Sequence, residues 1–180
     1  MRWEEIYKRL PKDKPIIGAE IGVWTGKTSS YLIENLPNLT MYMIDAWADP
    51  VTIPSFFNSG AKMARFDKSV YDSAYNTVQQ IQLKYPDRSF VIKDISLRAS
   101  WRFNGNTLDF VFLDGDHSYE GLSLDMDLWY PKVKLGGLFC GHDYNPADKG
   151  FRGVKKAVNE WFEPDEFELG DDHTWFHIKK

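Results

Sequence analysis

A glycine-rich turn near the start of the chain is the first stretch whose residue types could do chemistry. It contains Glu20, Gly22 and Gly26, and it lies between an apolar run at 16–21 and a helical pattern at 27–36. Glycine has no Cβ, so the backbone can turn sharply there and lie against a ligand. The first amides of the following helix point into such a turn. The pattern predicts a cofactor-binding loop, and the structural alternative is an ordinary strand–helix turn.

The spacing and the charge of this turn discriminate between cofactors. Dinucleotide sites use G-x-G-x-x-G and phosphate loops use G-x-x-x-x-G-K-[ST], whereas this chain has Gly22-x-x-x-Gly26 followed by Lys27. The acidic Glu20 would repel a pyrophosphate. It would suit a ligand with positive charge and no phosphate, and S-adenosylmethionine, with its sulfonium and α-ammonium groups, is such a ligand.

A second carboxylate follows at the spacing of a cofactor unit. The apolar strand predicted at 40–45 ends in Asp45, 19 residues after Gly26. In a βαβ unit, an acid near that distance accepts hydrogen bonds from the ribose hydroxyls. Asp45 is therefore a predicted ribose ligand, and the alternative is a loop aspartate that caps the next segment.

Composition excludes several classes of protein. With 180 residues, 43% of them hydrophobic and 16% aromatic, the chain can bury a core and is not disordered. The net charge of −4 argues against broad sequence-independent binding to nucleic acid. The single cysteine, Cys140, cannot form an internal disulfide, which favours a reducing compartment. Without a signal-peptide core or a spanning apolar run, we expect a soluble cytoplasmic protein with no membrane partner.

Hydrophobic periodicity predicts strands that alternate with helices, followed by a terminal hairpin. The predicted strands lie at 16–21, 40–45, 90–92, 108–113 and 135–140, with hairpin strands at 166–169 and 174–178. The predicted helices lie at 3–10, 27–36, 70–85, 97–103, 118–131 and 151–162. This order predicts one α/β domain over 1–180, with an N-terminal cap helix within 1–14. The sheet should be doubly wound, Rossmann-like, seven-stranded and mostly parallel, with a C-terminal antiparallel hairpin.

Polar residues concentrate where the predicted strands end, which is where such sheets bind ligands. They are Glu20, Asp45, Asp94, Asp114, His117, His142 and Asp143. The long aromatic connection at 46–68 is predicted to be a substrate lid, with a packed surface loop as the alternative. Asp125 and Asp127 are predicted to be solvated, and His173 and His177 to be structural or exposed. The terminal hairpin could also support a homodimer.

Nearly the whole chain resembles the class I S-adenosylmethionine-dependent methyltransferases, in their small-molecule O-methyltransferase-like branch. The most specific stretch runs from Leu108 to Gly121 and continues through 130–137, 141–144 and 153–158. The resemblance implies cofactor contacts from the glycine turn (Glu20, Gly22, Trp24, Thr25, Gly26), from Asp45 at the ribose, from Asp94, Ile95 and Ser96 at the adenine, and from Asp114.

The resemblance also implies a metal site. Metal-dependent relatives hold Mg²⁺ with an acid after the fourth strand and an acidic or acid–amide pair after the fifth. Asp114 and Asp143 match that pattern, whereas His142 stands where an acid would be. Imidazole tolerates Mn²⁺, Fe²⁺ or Zn²⁺ better than Mg²⁺. The expected site is Asp114, His142 and Asp143 with Mg²⁺ or Mn²⁺, and the alternative is a metal-free polar cluster.

The reaction would be a displacement at the sulfonium methyl by an acceptor hydroxyl that must lose its proton. His117 follows the strand-four acid and histidine titrates near neutrality, so His117 is the candidate base, with Asp114 beside it. In the alternative, His117 caps the next helix or bonds Asp116.

The acceptor class is implied by the habits of the family that the chain resembles, and no residue of the chain specifies it. Amino-directed nucleic-acid methylases of this fold carry [DNS]-P-P-[YF] there, whereas this chain has Asp114-Gly-Asp-His117. We therefore expect a small hydroxylated acceptor, such as a sugar, a glycan precursor or a natural product. A metal-independent enzyme, a noncatalytic cofactor-binding module and a nicotinamide oxidoreductase stay as alternatives.

Overall fold

The computed structural model describes residues 1–48, 66–144 and 152–180. The predicted lid at 46–68 therefore lies mostly outside the described residues. The predicted helix at 151–162 begins at their edge.

A seven-stranded sheet forms the centre of the molecule, in the order β3-β2-β1-β4-β5-β7-β6. Its strands are β1 (Ile16–Ile21), β2 (Leu39–Asp45), β3 (Ser89–Lys93), β4 (Leu108–Leu113), β5 (Val133–Gly141), β6 (Glu168–Leu169) and β7 (Trp175–Ile178). The first five strands are parallel, and β7 runs antiparallel between β5 and β6. This arrangement confirms the predicted fold class.

Helices cover both faces of the sheet. They are α1 (Arg2–Arg9), α2 (Lys27–Asn35), α3 (Lys68–Lys84), α4 (Ser96–Ser100), α5 (Tyr119–Trp129) and α6 (Arg152–Trp161), with a 3-10 turn at Tyr130–Lys132. Apolar residues of α1, α2 and α3 pack with Phe110 and Phe112 of β4 on one face. Those of α4, α5 and α6 pack with Val111 and Leu113 on the other. Successive side chains of a strand point to opposite faces, so the continuous apolar run of β4 serves both cores.

The hairpin and β5 differ from their predicted bounds. A register irregularity between Leu108 and Phe110 lets β5 pair with β4 from Val133 onward. The pairing of β7 with β5 covers only four residues, so the hairpin strands are shorter than predicted. His177 in β7 is buried and its ring stacks on Phe162 at 4.2 Å, whereas His173 is exposed.

In the part of the chain that the structure describes, no helix has the length and apolar character needed to cross a membrane.

Candidate functional site

The glycine turn adopts the left-handed backbone that its composition predicts. Gly22 has φ +87° and Gly26 has φ +75°. A Cβ on Gly22 would lie 2.3 Å from the Asp114 carbonyl oxygen, and one on Gly26 would lie 2.6 Å from the Ile81 Cδ1 atom. Protein atoms therefore occupy the space that the missing side chains leave. Both glycines pack the turn against the β4 loop and α3, and their contact with a cofactor stays a prediction.

Glu20 anchors the helix that follows the turn. Its side chain is buried, and one carboxylate oxygen accepts hydrogen bonds from the Ser29 amide, at 3.1 Å, and from the Ser29 hydroxyl. Burial raises the pKa of Glu20 to about 8, against the hydrogen bonds from Ser29. Glu20 is thus largely protonated at neutral pH. The negative charge assigned to it from the sequence is not expressed in this arrangement.

Asp45 joins the glycine turn to the end of β2. Its Oδ2 accepts a hydrogen bond from the Trp24 amide at 2.8 Å, and its Oδ1 accepts one from the Trp47 amide at 2.9 Å. Burial raises the pKa of Asp45, while the backbone hydrogen bonds act in the opposite direction. Trp24 and Trp47 have φ values of +52° and +38°, which are strained for a bulky side chain. The predicted ribose ligand is therefore held by strained loop backbone.

A cleft of about 280 Å³ opens beside the turn, between Trp24 and α3. Its lining residues are Trp24, Thr25, Ser69, Val70, Ser73, Ala74 and Thr77. The Trp24 ring stacks on Phe66 with centroids 5.8 Å apart and meets Tyr71 edge-on at 5.7 Å. The predicted cofactor contacts Trp24 and Thr25 thus line a cleft on the α3 side of the turn, and the Trp24 ring is held there by Phe66 and Tyr71.

The segment predicted to contact adenine is held by its own side chains. Asp94 Oδ1 accepts hydrogen bonds from the Ile95 amide at 2.9 Å and from Arg98 Nε at 2.7 Å. Burial alone would raise the pKa of Asp94, but these hydrogen bonds and the charges of Arg98 and Arg102 lower it. Asp94 therefore stays ionised and fixes the start of α4.

Ser96 connects this segment to α5 and overturns one expectation. Its hydroxyl donates to Asp125 Oδ1 and accepts from Trp129 Nε1 at 2.8 Å. Asp125 is only 6% exposed, so the prediction that it is solvated was wrong. The reason is that α4 packs over that face of α5, and burial raises the pKa of Asp125 to about 7. Asp127 is exposed, as predicted.

The ends of β4 and β5 bring four ionisable side chains together. His117 Nε2 lies 3.0 Å from Asp143 Oδ2 and 3.5 Å from Asp114 Oδ1. His142 Nδ1 lies 3.2 Å from Asp143 Oδ1 and 3.8 Å from Asp114 Oδ1. All four side chains are between 11% and 23% exposed. We call these four residues the acid–histidine cluster.

The turn after β4 directs His117 into this cluster. Asp116 Oδ1 accepts a hydrogen bond from the Ser118 amide at 2.9 Å, and the Ser118 hydroxyl caps α5 by accepting one from the Gly121 amide at 3.0 Å. Ser118, and not His117, is thus the capping residue. On the β5 side, Asp143 has φ +62°, a left-handed conformation that strains non-glycine residues and is enriched at functional sites.

The members of the acid–histidine cluster shift one another's pKa values. Burial alone would lower the pKa of His117, but hydrogen bonding and the charges of Asp114 and Asp143 raise it to about 9. Burial alone would raise the pKa of Asp143, but the hydrogen bond and the charge of His117 hold it well below its ordinary value. His117 is therefore an imidazolium at neutral pH. A base that titrates near neutrality, as the sequence suggested, is not what this geometry provides.

Arg2 is a site residue that sequence reasoning missed. Its Nη2 lies 3.3 Å from Asp114 Oδ2, its Nη1 lies 3.2 Å from His142 Nδ1, and its Nε donates to Thr28 Oγ1 at 3.3 Å. Arg2 and His142 are 140 positions apart in the chain. No local pattern indicates this contact, because it depends on how α1 packs beside the sheet edge.

Asp114, His117 and Asp143 form a group whose donor atoms could hold a metal ion. One ligand atom from each lies within 4.8 Å of the others. Asp114 and Asp143 were predicted as metal ligands, and His117 completes this set of three. His142 directs Nδ1 toward Arg2, and its metal role stays a prediction.

The comparisons identify the family. The methyltransferase domain family matches residues 19–144, which is more than half of the chain. The protein belongs to this family, as a class I S-adenosylmethionine-dependent methyltransferase. No protein of curated function matches the sequence.

Solved structures share the fold at low sequence identity. The O-methyltransferase NovP is 18% identical with a TM-score of 0.68, and the match covers 99% of this chain and 78% of NovP. A caffeoyl-CoA O-methyltransferase-like protein from Staphylococcus aureus is 15% identical with a TM-score of 0.66, covering 99% and 83%. An rRNA methylase from Streptococcus thermophilus is 10% identical with a TM-score of 0.60, covering 100% and 95%. These matches support the fold, which serves both small and macromolecular acceptors.

Proposed function

We propose that this protein transfers the methyl group of S-adenosylmethionine to a hydroxyl of a small acceptor, beside the acid–histidine cluster. The observation that carries the proposal is the convergence of Asp114, His117 and Asp143 within 4.8 Å at the ligand-binding edge of a methyltransferase sheet. Such a cluster can orient a hydroxyl, and it can take up the hydroxyl proton once His117 has released its own. The acidic chain, with a net charge of −4, favours a small acceptor over nucleic acid.

In this proposal the cofactor binds on the β1–β2 side of this edge, and its binding requires a local adjustment. The bound cofactor supplies an electrophilic methyl group. Asp45 would accept the ribose hydroxyls, although in this structure its two oxygens accept hydrogen bonds from the amides of Trp24 and Trp47. Both residues are at positive φ, so they are the ones that would relax when ribose replaces an amide at the carboxylate.

The donor set of the cluster fits a divalent ion. Two carboxylates and an imidazole suit Mn²⁺, Fe²⁺ or Zn²⁺ better than Mg²⁺. A bound ion supplies a Lewis acid that lowers the pKa of an acceptor hydroxyl. Asp114, His117 and Asp143 would hold it, and His117 would have to release its proton, since only neutral imidazole is a ligand.

A metal-independent mechanism is the second candidate, and the Arg2–Asp114 pair favours it. The guanidinium already places a fixed positive charge 3.3 Å from the carboxylate. In that mechanism His117 is the base. It becomes competent only as the pH approaches the pKa of about 9.

Calorimetry combined with an activity screen tests these proposals. The protein is titrated with S-adenosylmethionine in EDTA and again with Mn²⁺. Transfer of radiolabelled methyl is then followed to a panel of catechols, phenols and sugars across pH. We expect cofactor binding, and methyl transfer at neutral pH that EDTA abolishes.

The remaining outcomes separate the alternatives. Methyl transfer that survives EDTA and rises toward pH 9 would contradict the metal mechanism and support the mechanism in which His117 is the base. Tight cofactor binding with no transfer to any acceptor would favour a noncatalytic binding module. Absence of cofactor binding under every condition would overturn the proposed function.

A further inference from the structure

Arg2 connects the N-terminal helix to both halves of the acid–histidine cluster. It contacts Asp114, which follows β4, and His142, which follows β5. The third contact, to Thr28 in α2, uses the remaining edge of the guanidinium. One planar group thus contacts three separate elements. Arginine presents five N–H donors in a fixed fork, which is the geometry that such bridging requires.

The helix that carries Arg2 is firmly seated. Ile6 is fully buried and Leu10 is 3% exposed, both in the core beneath α2. The rings of Trp3 and Tyr7 lie 6.2 Å and 6.3 Å from the ring of Tyr31 in α2. The backbone at Arg2 is therefore held close to the cluster by packing. The contact belongs to the fold and is not an accident of a loose surface side chain.

The contact with His142 bears on where that ring carries its proton. Arginine has donors and no acceptor, so a hydrogen bond from Arg2 Nη1 requires His142 Nδ1 to accept it. A nitrogen that accepts carries no proton, and a neutral ring then carries its proton on Nε2. Asp143 Oδ1, 3.2 Å from the same nitrogen, also needs a donor. Arg2 and Asp143 therefore make opposite demands on His142 Nδ1. Arg2 needs this nitrogen without a proton, whereas Asp143 needs it with one.

The two oxygens of the Asp114 carboxylate face different partners. Oδ2 faces Arg2 at 3.3 Å, and Oδ1 faces His117 at 3.5 Å. Because the guanidinium holds one oxygen, the other is kept toward the interior of the cluster. Both histidines lie near both acids, and of the two it is His142 that also contacts Arg2.

We propose that Arg2 is a positioning residue of this site, which fixes His142 as its Nε2–H tautomer and turns Asp114 Oδ1 toward His117. The site then uses His117, and not His142, as its working imidazole. The role given to the cluster in this proposal rests on the proposed function. The tautomer of His142 does not, because it can be measured on the protein alone.

The test is the tautomer of His142, read from imidazole ¹⁵N shifts and long-range ¹H–¹⁵N couplings. Spectra are recorded in EDTA, without cofactor, over a series of pH values, and the tautomer is read where the His142 signals are those of a neutral ring. The chain has four histidines, and the signals lost in His142→Gln assign the ring. We expect a protonated Nε2 and a bare Nδ1 in the wild-type protein. In Arg2→Met, which keeps an unbranched helix-forming side chain, we expect a proton on Nδ1, donated to Asp143.

Arg9→Met is the matched control. Arg9 lies in the same helix and pairs with Glu5 and Glu168 instead of the cluster, so its loss should leave the His142 tautomer unchanged. A proton on Nδ1 in the wild-type protein would overturn the proposal. This measurement does not depend on the variant, so it can be made even if Arg2→Met folds poorly. An unchanged tautomer in folded Arg2→Met would overturn it too.

The measurement needs no methyl acceptor, cofactor or metal. A protein that fails to transfer methyl groups can still show the predicted tautomer, so failure of the proposed function and failure of this inference are distinguishable. If the enzyme is active, Arg2→Met should lower kcat about tenfold or more, as loss of an outer-shell partner typically does.

Discussion

The two halves of the ligand-binding edge hold their carboxylates in opposite ways. On the β1–β2 side, Glu20 and Asp45 accept hydrogen bonds from backbone amides, those of Ser29, Trp24 and Trp47. On the β4–β5 side, the ion pairs that Asp114 and Asp143 make within the described part of the chain are all with side chains, those of Arg2, His117 and His142.

The difference suits the β1–β2 side to a structural role and the β4–β5 side to a chemical one. A backbone amide cannot titrate, and it moves only if the chain moves, so the β1–β2 carboxylates set the shape of the turn. Histidine side chains can rotate, lose protons and exchange them for a metal. The β4–β5 side is therefore where a proton can be moved. The comparison makes four predictions, given below from the largest effect to the smallest.

Replacing His117 should have the largest effect. In His117→Ala, methyl transfer should fall about 10²–10⁴-fold, the range expected for loss of a general base or its equivalent. Steady-state kinetics with an acceptor found in the screen measure this. The control is His173→Asn, since His173 is exposed and at φ +67°, a conformation that asparagine tolerates. If both variants retain wild-type kcat, the cluster does no chemistry.

The stability of the metal-free protein should fall as the pH rises from 6.5 to 9. His117 has a pKa of about 9 in the folded protein and about 6.5 when unfolded. A raised histidine pKa stabilises the fold fully below the unfolded value, and this contribution is lost as the pH passes the folded value. It amounts to something on the order of 3 kcal/mol.

Urea unfolding of wild-type protein and His117→Gln in EDTA measures this loss. Glu20 and Asp125, whose pKa values are also raised, make stability decline in the same direction in both proteins. The His117 contribution is therefore the difference between the two slopes. Identical slopes would show that the cluster does not hold a proton on His117.

Asp45→Asn tests the structural role of the β1–β2 side. Asparagine offers one oxygen where the two carboxylate oxygens each accept an amide, so one amide must lose its partner. We expect the free energy of unfolding to fall by about 1–3 kcal/mol even without cofactor. Asp87→Asn, at an exposed aspartate after α3, should change it by less than about 0.5 kcal/mol. Equal stability of the two variants would remove the contrast between the two sides.

Asp125 and Asp127 give the smallest and most closely matched comparison. Both lie in α5, but only Asp125 is buried, with Ser96 as its partner. Asp125→Ala should cost about 1–2 kcal/mol, because the Ser96 hydroxyl loses its acceptor. Asp127→Ala should change stability by less than about 0.5 kcal/mol. Chemical denaturation of both variants decides this, and an equal effect would mean that Asp125 is solvated after all.

Local pattern was enough to predict the order of strands and helices and the polar residues at the strand ends. The apolar run at β4 requires burial on both faces, and the turn residues after it require a break, whatever surrounds them. The same pattern placed Glu20, Asp45, Asp114 and Asp143 on one edge, since parallel strands bring their carboxyl ends together.

The partners of those residues, and hence their charge states, were decided by tertiary structure. Burial makes Glu20 largely neutral, two acids make His117 a cation, and the packing of α4 over α5 buries Asp125. Arg2 reaches the cluster only because α1 docks on α2 through Ile6 and its neighbours. Residue type and spacing specify which groups can meet at a sheet edge. The pKa of each group depends on distance and desolvation, which exist only once the chain is folded.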